Sequence, residues 1–451
     1  EVRYDNVPGA VAMLDAKPIP GTGQVVAIFS PGHGRREHQG FVTTIDPRRG
    51  PDDPSAARRL HPGGDWRDPY PLNADQFLVA RANELHLLDA LGKTQLLHRL
   101  SDLPPEMMLH EPSPLRPRPR ERRSPARTDN TDLTGRLVLA DVTVGRNMAG
   151  VRPGEIKKLL VLEQLPSPFH NSPGFDGISL WGTFSVHRIL GTVPVEPDGS
   201  AFFEAPAMRS LFFVALDEND LAVKKMQSFV TVQPGETTSC VGCHEPRTTT
   251  PRNPGHATLV ALRRGPSRIA PIDAVPEIID FRRHVQPILE KHCVDCHNAK
   301  RREGELCLEA SPGMPSHGQG RVLSSYVALV SRLGEVADGR NAHGNRPPRG
   351  IGSSASKLIE RIDGSHYDVV VSASEAALVR LWLDSGAAAN GSYAIMHDGT
   401  PMKPSSLYVR EMLRYGILTP ALNPSGEPID VAATDEAYWR SFWHQPPPAT
   451  R

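Results

Sequence analysis

The chain has 451 residues, which at ~150 residues per domain suggests about three folded units. Lys+Arg 51 balance Asp+Glu 51 for a formal net charge of +0, which excludes a generally polyanionic partner such as nucleic acid. Hydrophobic residues make up 39%, beside Gly 38 and Pro 44, a composition of turns and short strands, and no run approaches the ~18 apolar residues of a membrane span.

Residues 1–130 read as a β-rich region ending in a linker. Apolar runs at 25–30, 41–45, 76–80, 84–88 and 94–98 are each bounded by Gly, Pro, Asp or Asn, the pattern of short strands. Two segments are alike: Thr44-Ile-Asp46 leading to Gly50, and Leu87-Leu-Asp89 leading to Gly92. In each, a strand is followed by an Asp that nucleates a turn and a Gly that tolerates positive φ. The aspartates lie 43 positions apart, within the ~40–45-residue period of four-stranded propeller blades. This predicts a partial, propeller-like region with too few blades to close, against the alternative of a simple meander. The Pro/Arg tract Glu111–Arg127 follows, extended and self-repelling, as a linker.

Residues 131–250 resume the strand pattern, with runs at 136–140, 158–162, 185–189, 201–203, 211–215 and 228–232, and turns at Glu196–Gly199 and Asp217–Asp220. This predicts a compact β-sandwich. Residues 275–445 turn helical. Asp280 is placed to cap a segment whose Phe281, Val285, Ile288 and Leu289 share a face, with Pro287 kinking or restarting it. Ser372 and Glu375 form a capping box ahead of Leu378, Leu381 and Trp382, and Gly386 supplies the stop.

Five cysteines carry the chemistry. Four fall in two copies of one pattern, Cys240-Val-Gly-Cys243-His244 and Cys293-Val-Asp-Cys296-His297, the attachment signature of c-type haem. Two residues between the thiols let both reach the vinyl groups of one porphyrin, and the adjacent histidine then swings under the ring to ligate iron. Two covalent haems are therefore expected, held by Cys240, Cys243, His244 and by Cys293, Cys296, His297, with the second inside an α-helical cytochrome c domain. The alternative, a four-cysteine zinc site in an interaction protein, usually spaces its knuckles by ~15–20 residues, whereas 49 residues separate Cys243 from Cys293 here. A redox dithiol needs a thioredoxin-like βαβ setting, which the pattern lacks. Cys307, left over, is read as a small apolar packing residue.

For the second haem, His366, in the loop Asp363–Asp368 just before the capped helix and 69 positions after His297, is the chosen distal ligand. Met396, Met402, His343 and His397 are its rivals, and His284 and His292 are assigned to the surface or to supporting roles. For the first haem no distal ligand stands out; His187 is a candidate, and a hydrogen-bonded sheet histidine is the alternative. An iron with an open sixth position transforms small ligands, and a six-coordinate one passes electrons. Haem c is attached on the oxidising side of a bacterial membrane, so the protein is expected to be exported to a periplasmic or equivalent compartment. The chain opens on Glu1 without a signal peptide, so that signal is expected upstream.

The segments Val186–Val195, Phe212–Asp217 and Glu236–Arg247 resemble the middle domain of the hydrazine synthase alpha subunit and its planctomycete relatives. Val285–Leu289, Cys293–His297, His366–Val369 and Leu381–Gly386 are similar to the same family's C-terminal haem domain. The resemblance covers residues 130–250 and 278–400, and more loosely 20–110, where the family has a propeller. It implies a middle-domain haem at which two nitrogen compounds are joined, its iron bound by a tyrosine four residues past the motif histidine. It also implies a zinc ion shared by that histidine and a cysteine, and a bis-histidine electron relay at the second haem. Here Thr248 stands at the tyrosine position and no cysteine precedes Cys240, so His244 is expected as an ordinary proximal ligand. The expected function is an exported dihaem c-type cytochrome for electron transfer, working with a redox partner or complex. The alternative is a haem oxidoreductase acting on a small nitrogen or oxygen compound at the first haem, and hydrazine synthesis itself is not expected.

Overall fold

The computed structural model describes residues 12–31, 38–49, 54–102, 104, 107–117, 120, 124–145, 147–165, 178–179, 185–226, 228–242, 258–315, 321–331 and 346–392. The chain divides into two compact units, Glu1–Arg123 and Ser124–Arg451.

In the first unit, β1 (Ala12–Pro18), β2 (Val25–Ser30), β3 (Phe41–Ile45) and β4 (Ala57–Arg59) form an antiparallel sheet in sequence order. A second antiparallel meander follows: β5 (Arg67–Pro71), β6 (Gln76–Arg81), β7 (Glu84–Asp89) and β8 (Thr94–Arg99). The repeated aspartates occupy equivalent places, each just beyond or at the end of its sheet's third strand. Asp46 Oδ1 accepts from the Arg48 amide at 3.1 Å, and Asp89 Oδ1 from the Leu91 amide at 2.9 Å, so both close the turn as Asx motifs. Gly92 has φ +88°, and a Cβ there would meet the Leu60 carbonyl oxygen at 2.2 Å; Gly50 lies outside the described residues. The two sheets share a core of Val26, Ile28, Val42, Trp66, Phe77, Val79 and Leu88. Among the described residues they do not close a ring.

The second unit is layered. β9 (Thr134–Leu139) lies between β12 (Ala201–Pro206) and β15 (Thr237–Cys240), while β10 (Lys158–Gln164) lies between β11 (His187–Pro194) and β13 (Leu211–Leu216), with β14 (Ala222–Lys225) on the edge. All pairings are antiparallel except β15 with β9. Leu159 and Val161 of β10 face the first of these sheets, packing with Leu137, Leu139 and Phe203. Leu160 and Leu162, on the opposite face by strand alternation, pack with the helices that follow. The near-continuous apolar run of β10 is thus explained by burial on both sides. The expected strand at 228–232 is reduced to one bridge, Val230 with Leu211. The hairpin return of β14 takes the place beside β13 instead, because the Asp217 turn brings Ala222–Lys225 back first.

At the buried end of β10, Glu163 is paired with Arg209 and lies 3.5 Å from Arg188, which also binds Glu277 at 2.9 Å. Charges this deeply buried persist only with such partners.

Asp280 caps its helix as expected, accepting from the Arg283 amide at 2.9 Å, and its other oxygen accepts from Gly391 at 2.8 Å. Residues Phe281–Val285 form a single π-helical turn before α2 (Gln286–His292), so the helix restarts with Pro287 in its first turn, where the missing N–H is harmless. A short helix α1 (Val260–Arg264) precedes it; the hairpin β16 (Pro312–Pro315) and β17 (Arg321–Leu323), helix α3 (Ser324–Ser331) and helix α4 (Ala373–Asp384) follow. α4 starts with the anticipated capping box: the Glu375 amide donates to Ser372 Oγ at 3.2 Å and the Ser372 amide to Glu375 at 2.8 Å. Phe281, Tyr326 and Trp382, one from each helical segment, meet with ring centroids 5.1–6.4 Å apart. All three are essentially inaccessible to solvent, and their polar atoms are satisfied: Trp382 Nε1 donates to Ala388 at 2.8 Å and Tyr326 to Ala387 at 2.9 Å.

Asp384, at the end of α4, is buried and accepts from the Ser353 amide at 2.7 Å and hydroxyl at 2.9 Å. Burial pushes its carboxyl up to about 6 against those hydrogen bonds.

Two consequences are measurable. Trp382→Ala should lower unfolding free energy by ~3–5 kcal/mol in chemical denaturation, whereas Leu115→Ala, in the exposed tract, should stay within about 0.5 kcal/mol. A carboxyl raised on folding stabilises fully below its unfolded value and loses that contribution as pH rises through about 6. Relative to Asp384→Asn, the unaltered chain should therefore lose ~2–3 kcal/mol between pH 4 and pH 7; parallel stability profiles would refute this.

Candidate functional site

α2 ends at His292, and the chain then folds back on itself through the second cysteine motif. The Cys296 and His297 amides donate to the Cys293 carbonyl at 3.2 and 2.9 Å, turning Cys293 and Cys296 through one tight loop. The segment after it wraps around His297: the Leu308 amide donates to the His297 carbonyl at 2.7 Å, and Asn298 Oδ1 accepts from Lys300 and Arg301 at 3.0 Å. His297 Nδ1 lies 2.8 Å from the Glu303 carbonyl oxygen. A carbonyl only accepts, so Nδ1 carries the proton and the Nε2 lone pair is left for a metal, the orienting arrangement usual for ligating histidines.

Facing it is His366. The two rings have centroids 6.1 Å apart and planes within 12° of parallel. A metal held by one nitrogen of each ring at ~2.0–2.1 Å, with about 1.1 Å from nitrogen to ring centre, requires centroids about 6.3 Å apart. The two rings are stacked, with a centroid spacing close to that value. Around the pair is a cavity of about 560 Å³, inside the ~300–1,000 Å³ range of cofactor sites. Leu289, Leu306, Leu308, Leu329, Leu358 and Val369 give it apolar walls, Arg301 and Arg361 supply cationic groups, and Cys293 and Cys296 open into it. The residues present therefore suit a large flat apolar group with anionic substituents, attached at the cysteines and clasped by two imidazoles.

Burial, reinforced by Cys296, pushes the Cys293 thiol up to about 11. At neutral pH it is a thiol, opposite to the depressed values that make redox dithiols reactive. Among the described residues, the only gathering of three metal-ligating groups is Asp15, Asp68 and Glu111, so Cys240, Cys293 and Cys296 do not converge as a zinc site would require. Cys307, partly buried, has its sulfur 4.0 Å from Glu309. His292 also borders the cavity and lies 3.3 Å from Glu375, which Lys291 binds at 3.0 Å. His284 Nδ1 accepts from the Asp280 amide at 2.9 Å, a local helix-start contact. His343, Met396, His397 and Met402 lie outside the described residues.

The first motif begins at the end of β15. Cys240 pairs with Leu139 of β9, its side chain exposed, and its carbonyl accepts from Ala140 at 2.9 Å. Gly242, the second residue between the thiols, lies so close to the next strand's exit that a Cβ would meet the Val144 carbonyl oxygen at 2.2 Å. The sequence reading did not identify this need for glycine, which is visible only from the Val144 side. Cys243, His244 and Thr248 lie outside the described residues. His187 is half-buried, its ring packs 4.7 Å from Phe212, and its Nδ1 is hydrogen-bonded to the Ser385 carbonyl. Desolvation, with Lys225 nearby, drives its pKa down to about 3, so the imidazole is neutral.

Comparison with known proteins follows the same division. Residues 154–245, which run from β10 through β15 and include the whole first cysteine motif, match the hydrazine synthase alpha subunit middle domain. No curated protein matches the chain. Among solved structures, the hydrazine synthase of Kuenenia stuttgartiensis is similar in fold, with a TM-score of 0.63 at 18% sequence identity, over 84% of this chain and 62% of that one. The chain thus spans less than two thirds of the length of the solved protein it matches. It is similar to the hydrazine synthase alpha subunit in its middle domain by sequence, and similar to a hydrazine synthase over most of its length by fold.

Proposed function

We propose that the chain is an exported dihaem c-type cytochrome that transfers electrons as part of a larger redox complex. The observation that carries this reading is the pair of imidazoles, His297 and His366, 6.1 Å apart and nearly parallel across an apolar cavity that Cys293 and Cys296 border. Bound there, haem c supplies a one-electron iron couple. Cys293 and Cys296 would hold the porphyrin as thioethers, and His297, its tautomer fixed by Glu303, and His366 would be its two nitrogen ligands. Two nitrogen ligands favour a lower potential than a histidine–methionine pair. The leucine walls exclude water and limit reorganisation as charge changes.

The second haem of the proposal is held by Cys240, Cys243 and His244. Covalent attachment places both haems, and so the protein, outside the cytoplasm. No described helix is long and apolar enough to cross a membrane. In this reading the β-rich, propeller-like region of residues 1–130 serves as a scaffold, residues 131–250 as the β-sandwich carrying the first haem, and residues 275–445 as the helical cytochrome domain. A partner within a complex is in keeping with the likeness to hydrazine synthase. The enzymatic alternative, small-molecule chemistry at the first haem, is favoured by one observation: the middle-domain match includes the whole first motif.

A pyridine haemochrome assay on the exported protein should give two haem c per chain, falling to one in Cys293→Ser/Cys296→Ser; a value near zero refutes the proposal. Carbon monoxide should bind neither reduced haem if the chain only transfers electrons, and binding to half the haem decides for the enzymatic alternative. His366→Ala should convert one haem to a high-spin, carbon monoxide-binding form, and an unchanged spectrum removes His366 as ligand.

A further inference from the structure

His366 opens a turn that its sequence does not favour. The Val369 amide donates to the His366 carbonyl at 3.0 Å, the Gly364 amide donates to Val369 at 2.9 Å, and Asp363 bridges Val370. This is a tight hairpin whose two central residues, Tyr367 and Asp368, have φ of +49° and +60°. Such a type I′ turn is normally built from Asn-Gly or Gly-Gly, because a Cβ is strained in the left-handed region. An aromatic residue at its first central position is a costly choice, and burial does not offset it, since Tyr367 is 89% exposed. The strain has one structural return. The Tyr367 ring stands edge-to-face against His366, centroids 4.9 Å apart and planes at 80°, the preferred geometry of an aromatic pair.

We propose that Tyr367 is a positioning residue, whose ring, aimed by the strained turn, fixes the rotation of the His366 imidazole and holds it nearly parallel to His297. The proposal rests on the haem reading of the cavity given above. The hairpin itself is braced locally: Ser365 donates to the Glu360 carbonyl at 2.7 Å, and Asp363 accepts from the Ser365 amide at 2.8 Å. The angle between two axial imidazole planes sets how the iron d orbitals split, so it is read directly in the electron paramagnetic resonance of the oxidised haem. Near-parallel planes give a rhombic low-spin signal, and crossed planes give a highly anisotropic one.

The test compares the holoprotein with Tyr367→Phe and Tyr367→Gly. The unaltered chain and Tyr367→Phe should share the rhombic signal. Tyr367→Gly, which keeps the turn and relieves the left-handed strain, should melt ~2–4 °C higher while its signal moves to the crossed-plane form. A Tyr367→Gly protein that keeps the rhombic signal overturns the proposal, as does a Tyr367→Phe protein that loses it. Failure of the underlying haem reading is separate: the unaltered protein then shows no bis-imidazole low-spin signal at all.

Discussion

The interior position of Trp382 constrains everything around it in the second unit. An indole buried to this extent must have its N–H satisfied, and the Ala388 carbonyl that accepts it belongs to the segment just past the helix. Tyr326 imposes the same demand on Ala387. Two adjacent carbonyls are thereby pinned against two aromatic side chains, and the chain after α4 folds back under its own helix. Phe281 completes the group and brings the π-helical turn with it. The aromatic group joins Leu160, Leu162, Phe212 and Val214, so the helices have a fixed seat on the back of the sandwich sheet.

The cavity is an extension of that packing. Leu289, Leu308, Leu329 and Leu358 belong both to the buried cluster and to the cavity walls. Side chains locked on one side by a close-packed interior offer a rigid surface on the other. Cys293 is kept neutral by burial, and Glu375, held well below the usual carboxylate range at about 2 by Ser372, Lys291 and His292, remains charged beside His292.

What the sequence made legible was local. The cysteine–histidine motifs, the Ser372–Glu375 capping box, the Asp280 cap and the Asp46/Asp89 repeat all depend on residues within a few positions of one another, and their geometry follows from side-chain chemistry. Pairings across long separations were less accessible. β14 and β15 were missed because four residues carry too short a pattern to separate from a turn, and the segment around Val230 looked like a strand because its apolar residues do enter the core, at one rung only. His187 illustrates the limit for the site: nothing near it in sequence reveals the Ser385 carbonyl 198 positions away. His366 was chosen from its place before the capped helix, but the Tyr367–Asp368 turn was not foreseen, since its residues contradict the rule by which such turns are recognised.

The parallel pairing of β15 with β9 bears on how the molecule assembles. Thr237 pairs with Arg136, 101 positions earlier, and a parallel pair has no hairpin to bring its strands together. Contacts this distant form late, after the loop-closure entropy of the intervening strands has been met by their own sheet. β15 is also four residues long and lies at an edge, so the strand that carries Cys240 is held to its sheet through one neighbour only and belongs with the elements that open most readily.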